Sequence, residues 1–596
     1  MNKIEFHKTA NIFVNTGTVA LHRYIKKFQL VNQEFGDIRN ELLPEKLIIE
    51  NERLFELLEE VYYFMGREVY DTASAEQLNK NENVYYDTTN EKFVRFPKMN
   101  TYGLTHLLTN NAQGTTRKKE NSPKIKQLEK SNPELASKIK TYFESNNLKL
   151  LSKVYIDEPY SKITTLHLDE KYFIGGNARC PIIGEDFKYL VEATNTSPFL
   201  SGLRNFNSQL GSSDKKVSQK ALYLLRFSPA LAMYSYYNGY DSFTCSFFNS
   251  NSLNNINTLY DDEFFRLKDE MKHMKLPFHN NIRFENFKFS KKGGEEVEIE
   301  AGFGAQSPNE VTFLLIYTFY KKKFRDELDS ENLNVEVDPF EDSPFEKVPI
   351  SLVTFKADKF ASTMRPNFYE EYNNVKFIVR LLHKMEMHKP KRIPILDFWH
   401  GLVIELPKYA HKQKYDKSRA HAERQIRQAV ISKVLKGKSV LSDFEQLFSK
   451  CYMILSNGKA CGYRRYDLLT EFLTIYEPAI NFGGMNMDKS LQQKAINLGK
   501  SIGYSIVNYD NPKNDTEKKT NAKNGRKYLI SLHKARTIDQ FRETIIRIQN
   551  KFTLSVSNEI LENLNEQNFK AIKQYAQISA LNQLNAVLST NKPSES

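Results

Sequence analysis

Four groups of residues in this chain have types and spacings that could do chemistry. The loop Asn110-Asn111-Ala112-Gln113-Gly114-Thr115-Thr116-Arg117-Lys118-Lys119 sets amides ahead of three cations. Amides match the edges of bases and cations match phosphates, so a binding finger and a plain linker both stand as readings. Between Lys171 and Asn257, a glycine-punctuated turn, Gly175-Gly176-Asn177-Ala178-Arg179-Cys180-Pro181, offers one exposed-type cation in Arg179. The same stretch ends in Met233, Tyr234, Tyr236, Tyr237, Tyr240, Phe243, Phe247 and Phe248, then Asn249, Asn251, Asn254, Asn255 and Asn257. Rings that dense fit an ordinary core; rings followed by amides also fit a platform on which bases stack. Two basic sections follow, one holding Lys359, Arg365, Lys376, Arg380 and Lys384, the other Lys408, Lys412, Lys414, Lys417, Arg419, Arg424 and Arg427. Cations at that density with few carboxylates suit phosphate contacts. In the last fifth, Arg526, Lys527, Lys534, Arg536, Arg542 and Arg547 recur so that several share a helical face.

Bond-breaking chemistry is sparse by comparison. Asp186-Phe187-Lys188 has the D-x-K shape of some metal nucleases, without a second acidic residue at a convincing spacing. A stand-alone metal-dependent nuclease built on Asp186 and Lys188 is therefore the rival reading from another class. His400, Glu405, His411 and His421 are not at zinc-ligand spacing, and the chain has no HExxH, P-loop or GxSxG. Cys180, Cys245, Cys451 and Cys461 form no CxxC pair, which argues against a disulfide framework and a self-contained zinc site. The sequence reads as non-enzymatic, with no metal and no cofactor. Its 85 basic and 72 acidic residues leave a net charge of +13, which favours a polyanion as partner. Neither a secretion signal nor a run of about 18 apolar residues is present, so a cytoplasmic protein without membrane contact is expected.

The elements that must position these groups imply an α+β, multidomain chain. A helix is expected from the apolar spacing of Val19, Leu21, Tyr24, Ile25 and Phe28, capped by Asn15 or Thr16. Hairpins are expected around Thr88-Thr89-Asn90 and Lys292-Gly293-Gly294, and Ser307-Pro308-Asn309-Glu310 has the form of a capping box. Residues 1–170 read as an N-terminal mixed α+β region and residues 171–484 as a central α+β body with the aromatic–asparagine block. Residues 485–596 read as a helical bundle joined at Gly483-Gly484. That last section carries 17 basic and 10 acidic residues, a net of +7. A fragment starting at Met485 or Met487 is expected to be a complete module.

The segments Phe13-Val14-Asn15-Thr16-Gly17-Thr18-Val19-Ala20-Leu21 and Cys180-Pro181-Ile182-Ile183-Gly184, the aromatic–asparagine block and the helical C-terminus together carry a resemblance. The chain resembles the large subunit of a type I CRISPR effector complex (Cascade), most similar to the type I-B branch. The resemblance implies a non-catalytic ribonucleoprotein subunit in antiviral defence. Such a subunit recognises a protospacer-adjacent motif in DNA while the guide RNA reads the target, steadies the R-loop, and helps recruit a separate helicase-nuclease. Implied partners are guide RNA, target DNA, the backbone and guide-end subunits, and a small subunit that the C-terminal bundle resembles. In some branches that small subunit is made from an internal start, which gives Met485 and Met487 their interest. Some members carry a CPxCG zinc knuckle; Ile183 stands at the second cysteine here, so no zinc is expected. Asn110, Asn111, Gln113, Arg117, Lys118, Lys119, Asn249 and Asn251 are then the candidates for the motif. Arg179, Arg365, Lys408, Lys412, Lys414, Arg419, Arg424, Arg526, Lys527, Lys534 and Arg536 are those for phosphates. An RNA-binding ribonucleoprotein scaffold is the alternative binding module.

Overall fold

The computed structural model describes residues 2–70, 84–88, 90–95, 112–113, 123–150, 154–156, 162–163, 166–192, 216–237, 242–260, 287–290, 296–299, 305, 307–325, 338–360, 363–388, 392–404, 417–458, 466–480, 489–556 and 558–589. The architecture is α+β and multidomain. Two compact units divide the chain, Met1–Leu315 with Asp342–Asn373 and Ile316–Glu341 with Asn374–Ser596. No helix among the described residues is long and apolar enough to cross a membrane.

The first unit opens with β1 (Lys3–His7), helix α1 (Ile12–Val31), β2 (Arg39–Leu42) and β3 (Lys46–Glu50), the strands forming an antiparallel sheet of order β1-β3-β2. Helix α2 (Leu54–Tyr70) precedes the expected hairpin of β4 (Val84–Asp87) and β5 (Lys92–Arg95). Then come β6 (Ala112–Gln113), α3 (Ile125–Ser131), α4 (Pro133–Ser145), β7 (Tyr155–Ile156) and β8 (Lys162–Ile163). A short hairpin of β9 (Gly175–Arg179) and β10 (Asp186–Phe187) leads to β11 (Val191–Glu192), β12 (Lys216–Val217) and α5 (Gln219–Phe227). After β13 (Met233–Tyr237), β14 (Ser242–Asn249), α6 (Leu253–Leu259), the hairpin β15 (Phe287–Ser290) and β16 (Glu296–Ile299), and α7 (Pro308–Tyr320), the chain returns as β17 (Ser351–Phe360) and β18 (Thr363–Tyr372). These complete an antiparallel sheet of order β13-β14-β17-β18.

Helix α1 is a core helix, buried from Val14 through His22. Its cap is Asn11, whose side-chain oxygen accepts from Phe13 N at 2.9 Å, rather than Asn15 or Thr16. Asn15 sits one turn inside and clamps the preceding loop, accepting from Thr9 N and donating to Thr9 O, both at 2.8 Å. One amide chemistry serves cap and clamp alike, so the spacing leaves the start ambiguous by a turn. A Cβ on Gly17 would lie 2.0 Å from the Leu224 carbonyl oxygen, so α1 and α5 cross at a separation only glycine permits. Helix α7 begins with the serine half of the expected capping box, Glu310 N donating to Ser307 Oγ at 3.3 Å. Its Thr312 joins Thr354 (2.9 Å) and Ser246 (2.7 Å) in a buried chain of hydroxyls that satisfies polar groups inside the sheet.

The second unit is helical. It contains α8 (Val375–Met387), α9 (Ile395–Gly401), α10 (Lys417–Leu435), α11 (Leu441–Ser456), α12 (Tyr466–Ile480), α13 (Lys489–Val507), α14 (Asp515–Asn524), α15 (Arg526–Lys534), α16 (Ile538–Phe552), α17 (Asn558–Glu562) and α18 (Phe569–Leu588). Helix α18 is the axis, buried on all sides from Gln574 through Asn582, and α11, α13 and α15 pack on it. Its alanines and serine face glycines: a Cβ on Gly499 would lie 2.2 Å from the Ala576 carbonyl oxygen, and one on Gly503 would lie 2.6 Å from the Gln583 Cβ. Backbones thus approach more closely than larger side chains allow. Buried amides on α18 are paired with its neighbours: Gln577 with Leu529 O (3.1 Å), Asn582 with Asp467 (2.8 Å) and Asn585 with Phe448 O (3.0 Å).

Gly483, Gly484, Met485 and Met487 lie outside the described residues, and the units divide at Asn373 and Asn374, with no strand after Tyr372 among the described residues. Helix α11, read from sequence as part of the body, belongs to the bundle: Tyr452 donates to Ala522 O at 2.8 Å, and Glu445 accepts from Gln574 at 3.2 Å. A fragment beginning at Met485 or Met487 would lack α11, and with it these partners of Gln574 and Asn585. Periodicity shows that a helix is amphipathic but not which neighbour covers it.

Candidate nucleic-acid interface

The basic face that is best formed lies on α15. Gly525 separates it from α14, and the apolar pair Leu529 and Leu532, three residues apart, turns one side inward. The opposite side presents Lys527, Ile530 and Lys534, with Arg526 and His533 on its flank, Lys523 before the helix and Arg536 after it, all exposed. No ion pair engages Lys523, Arg526, Lys527, Lys534 or Arg536 among the described residues. Lys527 Nζ stands 5.1 Å from the centroid of Tyr528, whose ring is held edge-on against Phe552 at 4.9 Å. The end of α15 is anchored twice. Lys573 Nζ donates to His533 O (3.1 Å) and Ala535 O (2.9 Å), and His533 Nδ1 meets Glu445 Oε1 at 2.6 Å. Burial pushes the Lys573 ammonium below its ordinary pKa, the nearby Glu445 opposing the shift. Farther on, Arg542 bonds Leu561 O (3.1 Å) and Arg547 bonds Glu543 (2.6 Å), so these two cations are tied to their own bundle.

Sequence reasoning named Arg526, Lys527, Lys534 and Arg536 here but missed Lys523 and His533. The spacing 523, 527, 530, 534 was the available signal; the glycine between the helices obscured it.

The two earlier basic sections are less open. Arg427 is fully buried, its guanidinium 4.4 Å from the Trp399 ring centroid. Arg380 makes a forked bond to Asp338 (2.8 to 3.0 Å) and stacks on Phe340, as Lys376 does. That fork holds the Asp338 carboxyl below its ordinary pKa. Arg365 lies in β18 and Arg419 and Arg424 in α10, their side chains outside the described residues. Lys408, Lys412 and Lys414 lie outside as well, as do Asn110, Asn111, Arg117, Lys118 and Lys119. Gln113 is placed by its backbone in β6, opposite Lys162 of β8.

The aromatic–asparagine block resolves into core and capping. Phe247, Phe248 and Tyr260 are fully buried; the Tyr260 hydroxyl accepts from Phe248 N at 2.7 Å, and burial drives its pKa far up. Asn251 is exposed but accepts from Asn255 at 2.7 Å, and Asn257 accepts from Arg23 at 3.1 Å. Asn249 is half-buried at the end of β14, and its side-chain oxygen has no hydrogen-bond partner among the described residues. The rings therefore offer no stacking ledge at Phe247 and Phe248. The side chains of Tyr234, Tyr236, Tyr237 and Phe243 lie outside the described residues, as does Tyr240.

Arg179 is exposed at the end of β9, beside the Cys180–Gly184 turn. In that turn Gly184 N donates to Cys180 O at 2.9 Å, and Ser218 donates to the Cys180 sulfur from both N and Oγ at 3.3 Å. Ile182 and Ile183 pack on a small core of Cys180, Phe187, Val217, Ala221 and Leu222. Apolar packing occupies the position a second cysteine would need, and these residues do not fit a zinc ion. Asp186 is exposed on β10, and among the described residues no group of three His, Cys, Asp or Glu side chains could hold a metal.

No protein-family model matches the chain, and no curated protein matches it.

Proposed function

We propose that the chain is the large, non-catalytic subunit of a cytoplasmic, CRISPR RNA-guided DNA surveillance complex of the type I kind, nearest to type I-B. In this role it recognises the protospacer-adjacent motif, steadies the R-loop and helps recruit a separate helicase-nuclease, alongside guide RNA, backbone and guide-end subunits and a small subunit. The observation that supports it is the exposed face of α15, where Lys523, Arg526, Lys527, Lys534 and Arg536 point to solvent without carboxylate partners among the described residues. Such a face holds a phosphate backbone by charge and reads no sequence, which suits a subunit that leaves sequence to base pairing. The loop from Asn110 to Lys119 is assigned to the motif, its amides to base edges and its cations to phosphates.

The rival metal nuclease on Asp186 and Lys188 has the weaker support, because neighbouring ligands are missing among the described residues. Co-purification of RNA from native cells, followed by sequencing, tests the proposal: repeat-derived guide RNAs are expected. RNAs of another class would favour a different ribonucleoprotein scaffold, and magnesium- or manganese-dependent cleavage of labelled DNA by the pure chain would overturn the non-catalytic role. Asn111→Ala with Gln113→Ala should erode discrimination between duplex motifs in the assembled complex, whereas unchanged discrimination would make the loop a linker.

A further inference from the structure

The α15 face contains one group whose charge is not fixed. His533 is 61% exposed at its side chain, while its partner Glu445, reaching from α11, is only 7% exposed. Glu445 accepts at both oxygens: Oε1 meets His533 Nδ1 at 2.6 Å and Oε2 accepts from Gln574 Nε2 at 3.2 Å. A carboxylate that only accepts fixes the hydrogen of His533 on Nδ1, which leaves Nε2 as the free ring nitrogen. The imidazole cannot turn away without leaving Glu445 in the core with one bond fewer, a costly arrangement. Its backbone is fixed as well, because Lys573 bonds the carbonyls of His533 and Ala535.

We infer that His533 is a proton-dependent phosphate contact in the polyanion-binding face. When Nε2 takes a proton from solvent, the imidazolium adds a donor and a positive charge on the flank of the face, beside Arg526 and one turn from Ile530, and the Glu445 carboxylate balances that charge from behind. When the proton leaves, the ring stays in place but offers phosphate a lone pair, and the face loses one contact. The charged groups placed against it are Glu445 on α11, at its Nδ1, and Lys573 on α18, at its carbonyl oxygen. The inference rests on the reading of this face as one that holds phosphates, and adds to it a dependence on pH that arginine and lysine cannot supply. Its ligand is a phosphodiester backbone, DNA or RNA.

Binding of fluorescent oligothymidylate and oligouridylate to the intact chain, measured against salt at about pH 6 and about pH 8, tests it across the range where an imidazole changes charge. The plot of log affinity against log salt should be steeper by about 0.7 at the lower pH, the value of one further single-strand phosphate contact. His533→Gln, which can still donate to Glu445, should give the shallower slope at both pH values with an unchanged unfolding transition. Lys527→Ala should flatten both slopes and keep the difference between them. Equal responses to the two strands would assign the contact to the shared backbone, and a response to one alone would assign it to that sugar. A wild-type slope independent of pH, or a His533→Gln slope that steepens like the wild type, overturns the inference and leaves the phosphate-holding face intact. Absence of binding at both pH values overturns the face and the inference together.

Discussion

Arg427 in α10 and Lys527 in α15 are cations on two helices of one unit, with opposite fates. Arg427 shares its helical face with Val430, Ile431 and Val434, at spacings of three, four and seven residues, and all are buried. Lys527 shares its face with Ile530, Ser531 and Lys534, and faces water. The first cation lies on an indole in the core, where the flat, weakly hydrated guanidinium is the cheapest charge to desolvate. The second keeps its hydration and remains available to a polyanion. Local density of lysine and arginine therefore does not locate a phosphate site; the residues three and four positions away decide which cations are available.

The largest test of this contrast is Arg427→Ala, which removes a buried group and leaves a cavity beside Trp399. A loss of about 3 kcal/mol in unfolding free energy is expected from chemical denaturation. Arg427→Met, which keeps the volume, should recover much of that loss if packing rather than charge matters most. Arg380→Ala should cost less, about 0.5 kcal/mol, because the Arg380–Asp338 pair is 45% and 40% exposed and water screens it. Lys527→Ala should leave stability within about 0.5 kcal/mol and reduce the salt slope of oligonucleotide binding by about 0.7. The contrast fails if Lys527→Ala unfolds the unit or if Arg427→Met flattens the salt slope while the fold persists.

A buried acid sharpens the same point in pH. Glu477 lies in the core and caps the otherwise uncapped start of α11 by accepting from Val440 N at 2.8 Å. Burial raises its pKa above the ordinary carboxylate value, although its hydrogen bonds pull the other way. The folded state thus binds the proton more tightly than the unfolded state. Its contribution is fully present below the unfolded carboxylate pKa and is lost as pH rises through the folded one. Glu477→Gln should therefore stabilise the unit at neutral pH and match the wild type in acid, as read from thermal unfolding at several pH values. Asp338, held down by Arg380, works in the opposite direction: its contribution is present above the unfolded pKa and fades as pH falls through the folded one.

Local signals in the sequence translate well. Asn132-Pro133 starts α4 with the amide bonded to Leu135 N at 3.1 Å, Ser307 caps α7, and the helix ending at Ser228-Pro229 stops there. Each depends on atoms within four residues of one another, and spacing can specify that. The unit boundary is not local. It depends on α18 reaching across more than a hundred residues to Phe448, and no period in the α11 sequence announces that partner. The aromatic–asparagine block was ambiguous for a similar reason, because a core ring and a stacking ring have the same side chain. Of the candidate interface, Arg526, Lys527, Lys534 and Arg536 were readable from charge spacing. His533 was not, since its role depends on Glu445, 88 residues away.

The interleaving of the two units has a consequence for synthesis. Ile316–Glu341 belongs with helices that begin only at Asn374, and its axis, α18, ends at Leu588. At translation rates of about 5 to 20 residues per second, the 316–341 segment waits roughly 2 to 9 seconds for α8, whose His383 and Glu386 meet Tyr320 and whose Arg380 meets Asp338. Meanwhile the first unit can close once β18 has left the ribosome. Phe319, Tyr320 and Phe324, buried in the finished protein, are the side chains that wait. A nascent chain stalled before α8 is complete should therefore be a form that chaperones bind and proteases cut readily.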